Sequence, residues 1–144
     1  MTTPRMRIGT EHWNKKRLYV EHYTKVPDEV YTDKYKHLTS ISFLHCTITQ
    51  AKPLPVNYNT VFTDYSTLPL SILPKKIEWL DLSDTKIKDF SLKALPSSLT
   101  ALHLTGDVGI TEIKNINFST LESLYVMGTY SQIKTIKNVS APKL

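Results

Sequence analysis

Few residues in this chain have the types and spacing that enzyme chemistry requires. His45 and Cys46 are neighbours and would supply a base and a nucleophilic thiolate if their side chains met. The alternation of apolar and polar residues around them predicts a β-strand, in which consecutive side chains point to opposite faces. The chain has 4 glycines and contains no glycine-rich phosphate loop, no G-x-S-x-G and no H-E-x-x-H motif. We therefore predict that the protein has no catalytic residues and is not an enzyme.

A metal site could be built from two histidines at equivalent points of neighbouring repeats. His22 and His45 would lie side by side, and Tyr65 and Asp84 continue the same row. Imidazole nitrogens and carboxylate oxygens are zinc ligands, but two exposed histidines on adjacent strands are more often ordinary surface residues. The single cysteine, Cys46, has no second thiol with which to bind a metal or form a disulfide. The sequence therefore predicts no metal and no cofactor.

The length and composition favour one soluble domain over residues 1–144. The chain is 40% hydrophobic, 22% charged and 10% aromatic, which is ordinary for a globular protein with its own core. It has neither an amino-terminal apolar run of signal-peptide length nor the roughly eighteen consecutive apolar residues of a membrane span. We expect a cytoplasmic protein that does not bind membranes.

An internal repeat extends through most of the sequence. In a clear copy it reads Leu99-x-x-Leu102-x-Leu104-x-x-Asp107, and weaker copies lie towards the amino terminus. Successive copies start 19 to 23 residues apart, at Lys15, Leu38, Tyr58, Ile77, Leu99 and Leu121. Apolar residues at alternate positions predict one strand with a buried face in every copy. Repetition with this period predicts that the strands stack side by side in a solenoid.

This pattern resembles the leucine-rich repeat family over about residues 15–144, and Leu95-Pro-Ser-Ser-Leu99 is similar to family repeats with L-P-x-x-L openings. The resemblance implies an α/β-class solenoid of about six turns, with one parallel β-sheet on its concave face. We expect strands to start near residues 16, 39, 59, 78, 100 and 122. The convex segments contain prolines, β-branched residues and few strong helix formers, which predicts loops and 3₁₀ turns there instead of full helices.

Residues 1–37 are predicted to form an amino-terminal cap with a degenerate first turn. Three apolar side chains could close the open end of the core: Met6, Ile8 and Trp13. Residues 26–31 are a candidate for a short helix, because a proline suits the first helical turn. Residues 38–144 carry the repeats and end without a cap. Since an uncapped solenoid exposes a strand edge, we expect the chain either to continue in a longer repeat protein or to self-associate through its carboxyl end.

The ninth position of the repeat carries small hydrogen-bonding side chains, where the chain leaves the strand and turns inward. They are Cys46, Ser66, Thr85, Asp107 and Thr129. Buried loop amides at such a turn have no partner in the sheet. We predict that these side chains satisfy those amides, which makes Cys46 a structural thiol.

The net charge of +5 makes nucleic acid a candidate partner, so the positions of the charges matter. The register places repeat positions two, three, five, seven and eight on the concave face. These positions hold the bases Lys16 and Arg17 and the acids Glu21, Asp64, Glu78, Asp81, Asp84 and Glu122. The loops and convex segments hold Lys75, Lys76, Lys86, Lys88, Lys93, Lys114, Lys134, Lys137 and Lys143. Because a nucleic-acid site requires bases among stacking aromatics, this distribution disfavours nucleic acid.

The same register brings aromatic side chains to the concave face. The predicted binding residues are Tyr19, Phe62, Trp79, Asp81, His103 and Tyr125. Aromatics with acidic neighbours are typical of protein-binding surfaces. This predicts a non-enzymatic protein–protein interaction module that binds a basic segment of another protein and has no small-molecule substrate. Three alternatives stay open: Phe62 and Trp79 only stiffen the sheet, the basic convex surface binds nucleic acid, or the chain is a structural, self-assembling repeat protein.

Overall fold

The chain folds into a β-solenoid of about five turns, one fewer than predicted, because its six parallel strands are joined by five return segments. The computed structural model describes residues 3–10, 15–128 and 133–144. Its strands are, in chain order, β1 (Arg5–Thr10), β2 (Lys16–Glu21), β3 (Ser40–Leu44), β4 (Thr60–Asp64), β5 (Thr67–Pro69), β6 (Trp79–Ser83), β7 (Lys86–Lys88), β8 (Ala101–Thr105), β9 (Glu112–Asn117), β10 (Ser123–Met127) and β11 (Thr135–Ser140). The repeat in the sequence therefore corresponds to one turn of the solenoid.

One seven-stranded sheet forms a whole side of the solenoid, in the order β1-β2-β3-β4-β6-β8-β10. We call the face of this sheet that points away from the core the concave face. From β2 to β10 all neighbours are parallel, and equivalent residues of successive repeats lie side by side. The predicted strand starts are confirmed to within one residue. The sequence gives no signal for β1, which pairs antiparallel with β2.

The inward-facing positions of the parallel strands build a continuous apolar core. Five aligned residues on β2, β3, β4, β6 and β8 are 0% exposed: Leu18, Ile41, Val61, Leu80 and Leu102. Each turn thus completes the core of its neighbour, and burying a side chain of this size contributes about 1.5–3 kcal/mol. The core thins towards β10, where Val126 is 37% exposed.

The return segments of the turns contain short strands and 3₁₀ helices but, among the described residues, no α-helix. The 3₁₀ helices are Asp28–Tyr31, Asp33–Tyr35, Leu70–Ile72 and Leu92–Ala94. Two small parallel sheets, β5–β7 and β9–β11, add backbone hydrogen bonds on this side. The expectation of loops and 3₁₀ turns is confirmed, and the predicted helix over 26–31 is a 3₁₀ helix. The α/β part of the fold prediction is not confirmed, because the return segments are too short and too rich in β-branched residues for an α-helix.

A ladder of side-chain hydrogen bonds runs through the ninth repeat position, as predicted. The amide of Cys46 donates to Ser66 Oγ (3.0 Å), and the amide of Ser66 donates to Thr85 Oγ1 (3.3 Å). All three residues are buried, and the Ser66 and Thr85 hydroxyls donate in turn to strand carbonyls. Asp107 departs from the ladder, because its carboxylate accepts from an amide two residues further on. Thr129 lies outside the described residues.

The eighth repeat position has left-handed backbone. The angle φ is 60° at His22, 51° at His45, 48° at Tyr65 and 44° at Asp84, and it is 72° at Gly106. Left-handed backbone costs a residue with a side chain roughly 1–2 kcal/mol. The same conformation turns the chain from the strand towards the core, so that the ninth side chain reaches the neighbouring turn.

β1 and the link between β2 and β3 cover the amino-terminal end of the core. Met6 packs against the core, whereas Ile8 is 47% exposed, so the predicted apolar cap is confirmed only in part. Trp13 lies outside the described residues. The link contributes buried Val26 and Val30. None of the helices in the described part of the chain has the length and apolar character needed to span a membrane.

Candidate functional site

Five of the six predicted binding residues form one chain of contacts on the concave face. Strand register aligns four of them across β4, β6, β8 and β10: Phe62, Asp81, His103 and Tyr125. Trp79 lies two residues before Asp81 on β6. Ring centroids are 6.5 Å apart for Phe62 and Trp79, 4.8 Å for Trp79 and His103, and 5.3 Å for His103 and Tyr125. These distances lie in the range of roughly 4.5–7 Å in which aromatic rings attract.

Tyr19, the sixth predicted residue, joins this chain through Arg17. The guanidinium carbon of Arg17 lies 3.6 Å from the Phe62 ring centroid and 5.6 Å from the Tyr19 ring centroid. Ser42 lies between Tyr19 and Phe62 in the sheet and is small enough to let arginine reach across β3. We call this set the aromatic row: Tyr19, Arg17, Phe62, Trp79, His103 and Tyr125. Sequence reasoning missed the bridging role of Arg17, for which the small residue between two aromatics was the available signal.

The amino-terminal end of the aromatic row is covered by β1. The guanidinium carbon of Arg7 lies 4.1 Å from the Tyr19 ring centroid. Gly9 lies against the same ring, since a Cβ there would be 2.5 Å from a ring carbon of Tyr19. Glu21 forms ion pairs with Arg5 and with Arg7, the second at 3.5 Å between Oε1 and Nη2. Basic side chains of the cap therefore occupy this end of the concave face.

The acids of the concave face are of two kinds. Burial alone would raise the pKa of Glu21, but hydrogen bonding and attraction from Arg5 bring that pKa below its ordinary value. Burial raises the pKa of Asp64 and of Asp81, and attraction to His103 only partly offsets this for Asp81. Asp81 Oδ2 lies 3.8 Å from His103 Nδ1. Glu21 lies at a concave position as predicted and is paired with Arg5 and Arg7 of the cap, whereas Asp64 and Asp81 place negative charge on the middle strands.

The carboxyl-terminal half of the aromatic row is open to solvent. Trp79 is 37% exposed and Tyr125 is 42% exposed, while Phe62 and His103 are half-buried. The Phe62 and Trp79 planes are tilted by 38°, so their mutual packing leaves much of the indole uncovered. Stiffening of the sheet therefore accounts for only part of this aromatic surface.

A second row of rings follows the eighth repeat position. His22 and His45 stack with centroids 5.2 Å and planes 7° apart, and His45 and Tyr65 stack at 5.3 Å and 5°. The lone pairs of imidazole nitrogens lie in the ring planes, so parallel stacked rings do not direct them to one ion. Within residues 3–10, 15–128 and 133–144, no three histidine, cysteine, aspartate or glutamate side chains are grouped as a metal site requires.

Cys46 and His45 have different environments, although both lie just beyond the end of β3. The Cys46 thiol is fully buried and donates to the carbonyl of Val20 (3.3 Å). Burial raises the pKa of this thiol, which disfavours the reactive thiolate. His45 is exposed and stacks on its neighbours in the eighth-position row. The two side chains therefore do not form a nucleophile and base pair.

The convex side carries exposed lysines and two clefts. All nine lysines assigned to loops and convex segments are exposed. Lys86 Nζ lies 3.7 Å from Asp107 Oδ2, and Lys114 Nζ lies 3.1 Å from Glu112 Oε2. Clefts of about 230 and 290 Å³ flank the 3₁₀ helix Leu92–Ala94. Neither cleft contains any of the predicted binding residues.

The aromatic row is the best-defined candidate site. It crosses the sheet from β2 to β10, and its side chains come from regular strands. Its exposed rings lie beside the half-buried carboxylates of Asp64 and Asp81. The stacked histidines form a shorter row, and the convex clefts lie away from both rows. No protein-family model, curated protein or solved structure matches this chain.

Proposed function

We propose that the protein is a non-enzymatic interaction module that binds an extended or loop segment of another protein on its concave face. The observation that carries this proposal is the chain of contacts from Phe62 through Trp79 and His103 to Tyr125, with both Trp79 and Tyr125 exposed. Large aromatic side chains of this kind are enriched among the residues that dominate binding energy at protein interfaces.

Two further features support a protein partner. The rings are held by paired strands, so little conformational entropy is lost when a partner binds. The neighbouring acids favour a basic segment: Asp64 and Asp81 are half-buried beside the row, and Glu78 and Glu122 are exposed on the same face. Electrostatic complementarity of this type mainly speeds association and selects the partner.

We also place the chain in the leucine-rich repeat family as a divergent, cytoplasmic member. Support comes from the repeat of 19 to 23 residues, the aligned apolar ladder and the parallel sheet on one side of the solenoid. A repeat scaffold alone does not establish a function, so the binding proposal depends on the aromatic row and not on this placement.

The double variant Trp79→Ala with Tyr125→Ala tests the proposal. The purified chain is immobilised and used to capture proteins from extracts of its source cells, which are identified by mass spectrometry. Loss of a central aromatic residue typically costs about 2 kcal/mol or more, which is roughly a thirtyfold loss of affinity. The double variant should therefore lose the partner yet melt cooperatively, because both side chains point away from the core.

The matched control removes charge from the opposite side, by Lys86→Ala, Lys88→Ala and Lys93→Ala together. This triple variant should retain the partner. Equal capture by the wild type and the aromatic double variant would contradict the concave site. Loss of capture only in the lysine variant, with recovery of nucleic acid that falls steeply between about 50 and 200 mM salt, would instead favour nucleic-acid binding by the convex side.

A further inference from the structure

We propose that the concave face recognises an arginine side chain of the partner segment, with its guanidinium stacked on Trp79 and hydrogen-bonded to Asp81. This inference rests on the proposed protein-binding function and narrows it to one chemistry. It follows from an arrangement that the chain already makes with its own arginines at the other end of the aromatic row.

Two intramolecular contacts show what the aromatic row accepts. Arg17 lies over Phe62 at 3.6 Å, and Arg7 lies over Tyr19 at 4.1 Å. Both cations are guanidiniums, and both meet the face of a ring on the concave side of the sheet. An arginine placed on a ring is attracted by its π-electrons and also stacks on it as a flat group.

The carboxyl-terminal half of the aromatic row has the same rings without such a cation. From β3 to β10, the concave positions of the repeat contain no lysine or arginine. Among the described residues, no lysine or arginine lies over Trp79 or Tyr125, which are 37% and 42% exposed. Asp81 has 26% of its side chain exposed. The exposed part of the Trp79 indole and the Asp81 carboxylate are therefore available to a group from outside.

The placement of Asp81 favours arginine over lysine. Trp79 and Asp81 are two residues apart on β6 and point to the same face, about 7 Å apart along the strand. A guanidinium can stack its plane on a ring and direct N–H groups in that plane at a carboxylate. The ammonium group of lysine is compact and strongly hydrated and has no flat face. It therefore cannot stack on the ring while it hydrogen-bonds to the carboxylate.

Three nine-residue peptides of alternating glycine and a test residue provide the probes, with arginine, lysine or uncharged citrulline as the test residue. Each is titrated into the full chain labelled with ¹⁵N, and the indole N–H signal of Trp79 is followed, assigned with Trp79→Phe. The arginine peptide should shift this signal and bind at least fivefold more tightly than the lysine peptide. The citrulline peptide should not bind measurably.

Charge variants show whether Asp81 is the partner of the guanidinium. Asp81→Asn should weaken binding of the arginine peptide by about tenfold or more, as expected for one charge-assisted hydrogen bond. Glu122→Gln removes the same charge from an exposed position on the same face and should change the affinity less than twofold. Equal losses of affinity in both variants would show that the peptide responds only to net charge, and this result would overturn the proposed contact with Asp81.

Other results would overturn the inference directly. Equal binding of the arginine and lysine peptides would show attraction by charge alone, and equal binding of citrulline would show stacking alone. A shift of the Trp79 signal by an oligothymidylate but by none of the peptides would assign the face to single-stranded nucleic acid. If the aromatic double variant loses its natural partner while the arginine peptide fails to bind, protein binding stands and the arginine site is wrong. Arginine selectivity with unchanged capture by the double variant would contradict the proposed function instead.

Discussion

The contact between Arg17 and Phe62 should contribute measurably to the stability of the solenoid. The distance of 3.6 Å from the guanidinium carbon to the ring centroid is well inside the roughly 6 Å over which a cation and a ring attract. Burial lowers the pKa of the Arg17 guanidinium, so water screens this contact less than it would at a fully exposed site. Cation–π contacts contribute about 0.5–1 kcal/mol when exposed and about 2 kcal/mol when desolvated. For a half-buried pair we expect about 1 kcal/mol.

A double-mutant cycle with Arg17→Met and Phe62→Leu measures this energy, since both replacements keep apolar bulk. Urea unfolding of the four proteins should give a coupling energy of about 1 kcal/mol. The matched control combines Arg17→Met with Tyr125→Leu, which lies at the far edge of the sheet, and these effects should add to within about 0.5 kcal/mol. A first-cycle coupling no larger than that of the control cycle would refute the reasoning, because the contact between the cation and the ring would then not stabilise the folded state.

Two further predictions concern the turns that follow the strands. Ser66→Ala should lower the unfolding free energy by about 1–3 kcal/mol, because the buried amide of Cys46 loses its acceptor. Ser119 is exposed, and Ser119→Ala should change the unfolding free energy by less than about 0.5 kcal/mol in the same urea titration. Equal effects of the two substitutions would show that the hydrogen-bond ladder does not stabilise the fold. Gly106→Ala should lower the melting temperature more than Gly109→Ala. Both glycines have φ of 72°, but a Cβ at Gly106 would overlap the Asp84 carboxylate, whereas a Cβ at Gly109 would lie 3.7 Å from Lys86 Cγ, its nearest atom outside the adjoining residues. Similar melting temperatures would show that Asp84 moves aside freely.

The strand positions and their register can be predicted from this sequence because it contains two regular patterns, one within each strand and one between successive strands. Apolar residues alternate within each strand, and the strands recur every 19 to 23 residues. A shift by one residue would move all the inward side chains of a strand to solvent, so a single register satisfies every turn. The ladder through Cys46, Ser66 and Thr85 is predictable for the same reason, since a small polar residue recurs where the backbone has to enter the core.

The contacts of the first turn cannot be predicted in this way. β1 belongs to no repeat, and its antiparallel pairing depends on tertiary contacts of Met6 and of the arginines around Tyr19. Repeat position assigns Glu21 to the concave face correctly, but it does not reveal that Arg5 is bound to its carboxylate. Likewise, the bridge made by Arg17 spans three strands, and long flexible side chains of this kind are not fixed by periodicity.

The pKa shifts of the concave acids separate those that stabilise the fold from those that do not. The pKa of Glu21 is lowered, so its carboxylate stabilises the folded state above its ordinary pKa, and this stability is lost as pH falls through the lowered value. The pKa values of Asp64 and Asp81 are raised by burial, so their ionised forms cost folding free energy at neutral pH. Asparagine would avoid that cost at either position. Stability alone therefore gives no reason for two carboxylates on the middle strands beside the aromatic row, whereas a cationic partner supplies one, because its approach compensates the charge that burial leaves poorly solvated.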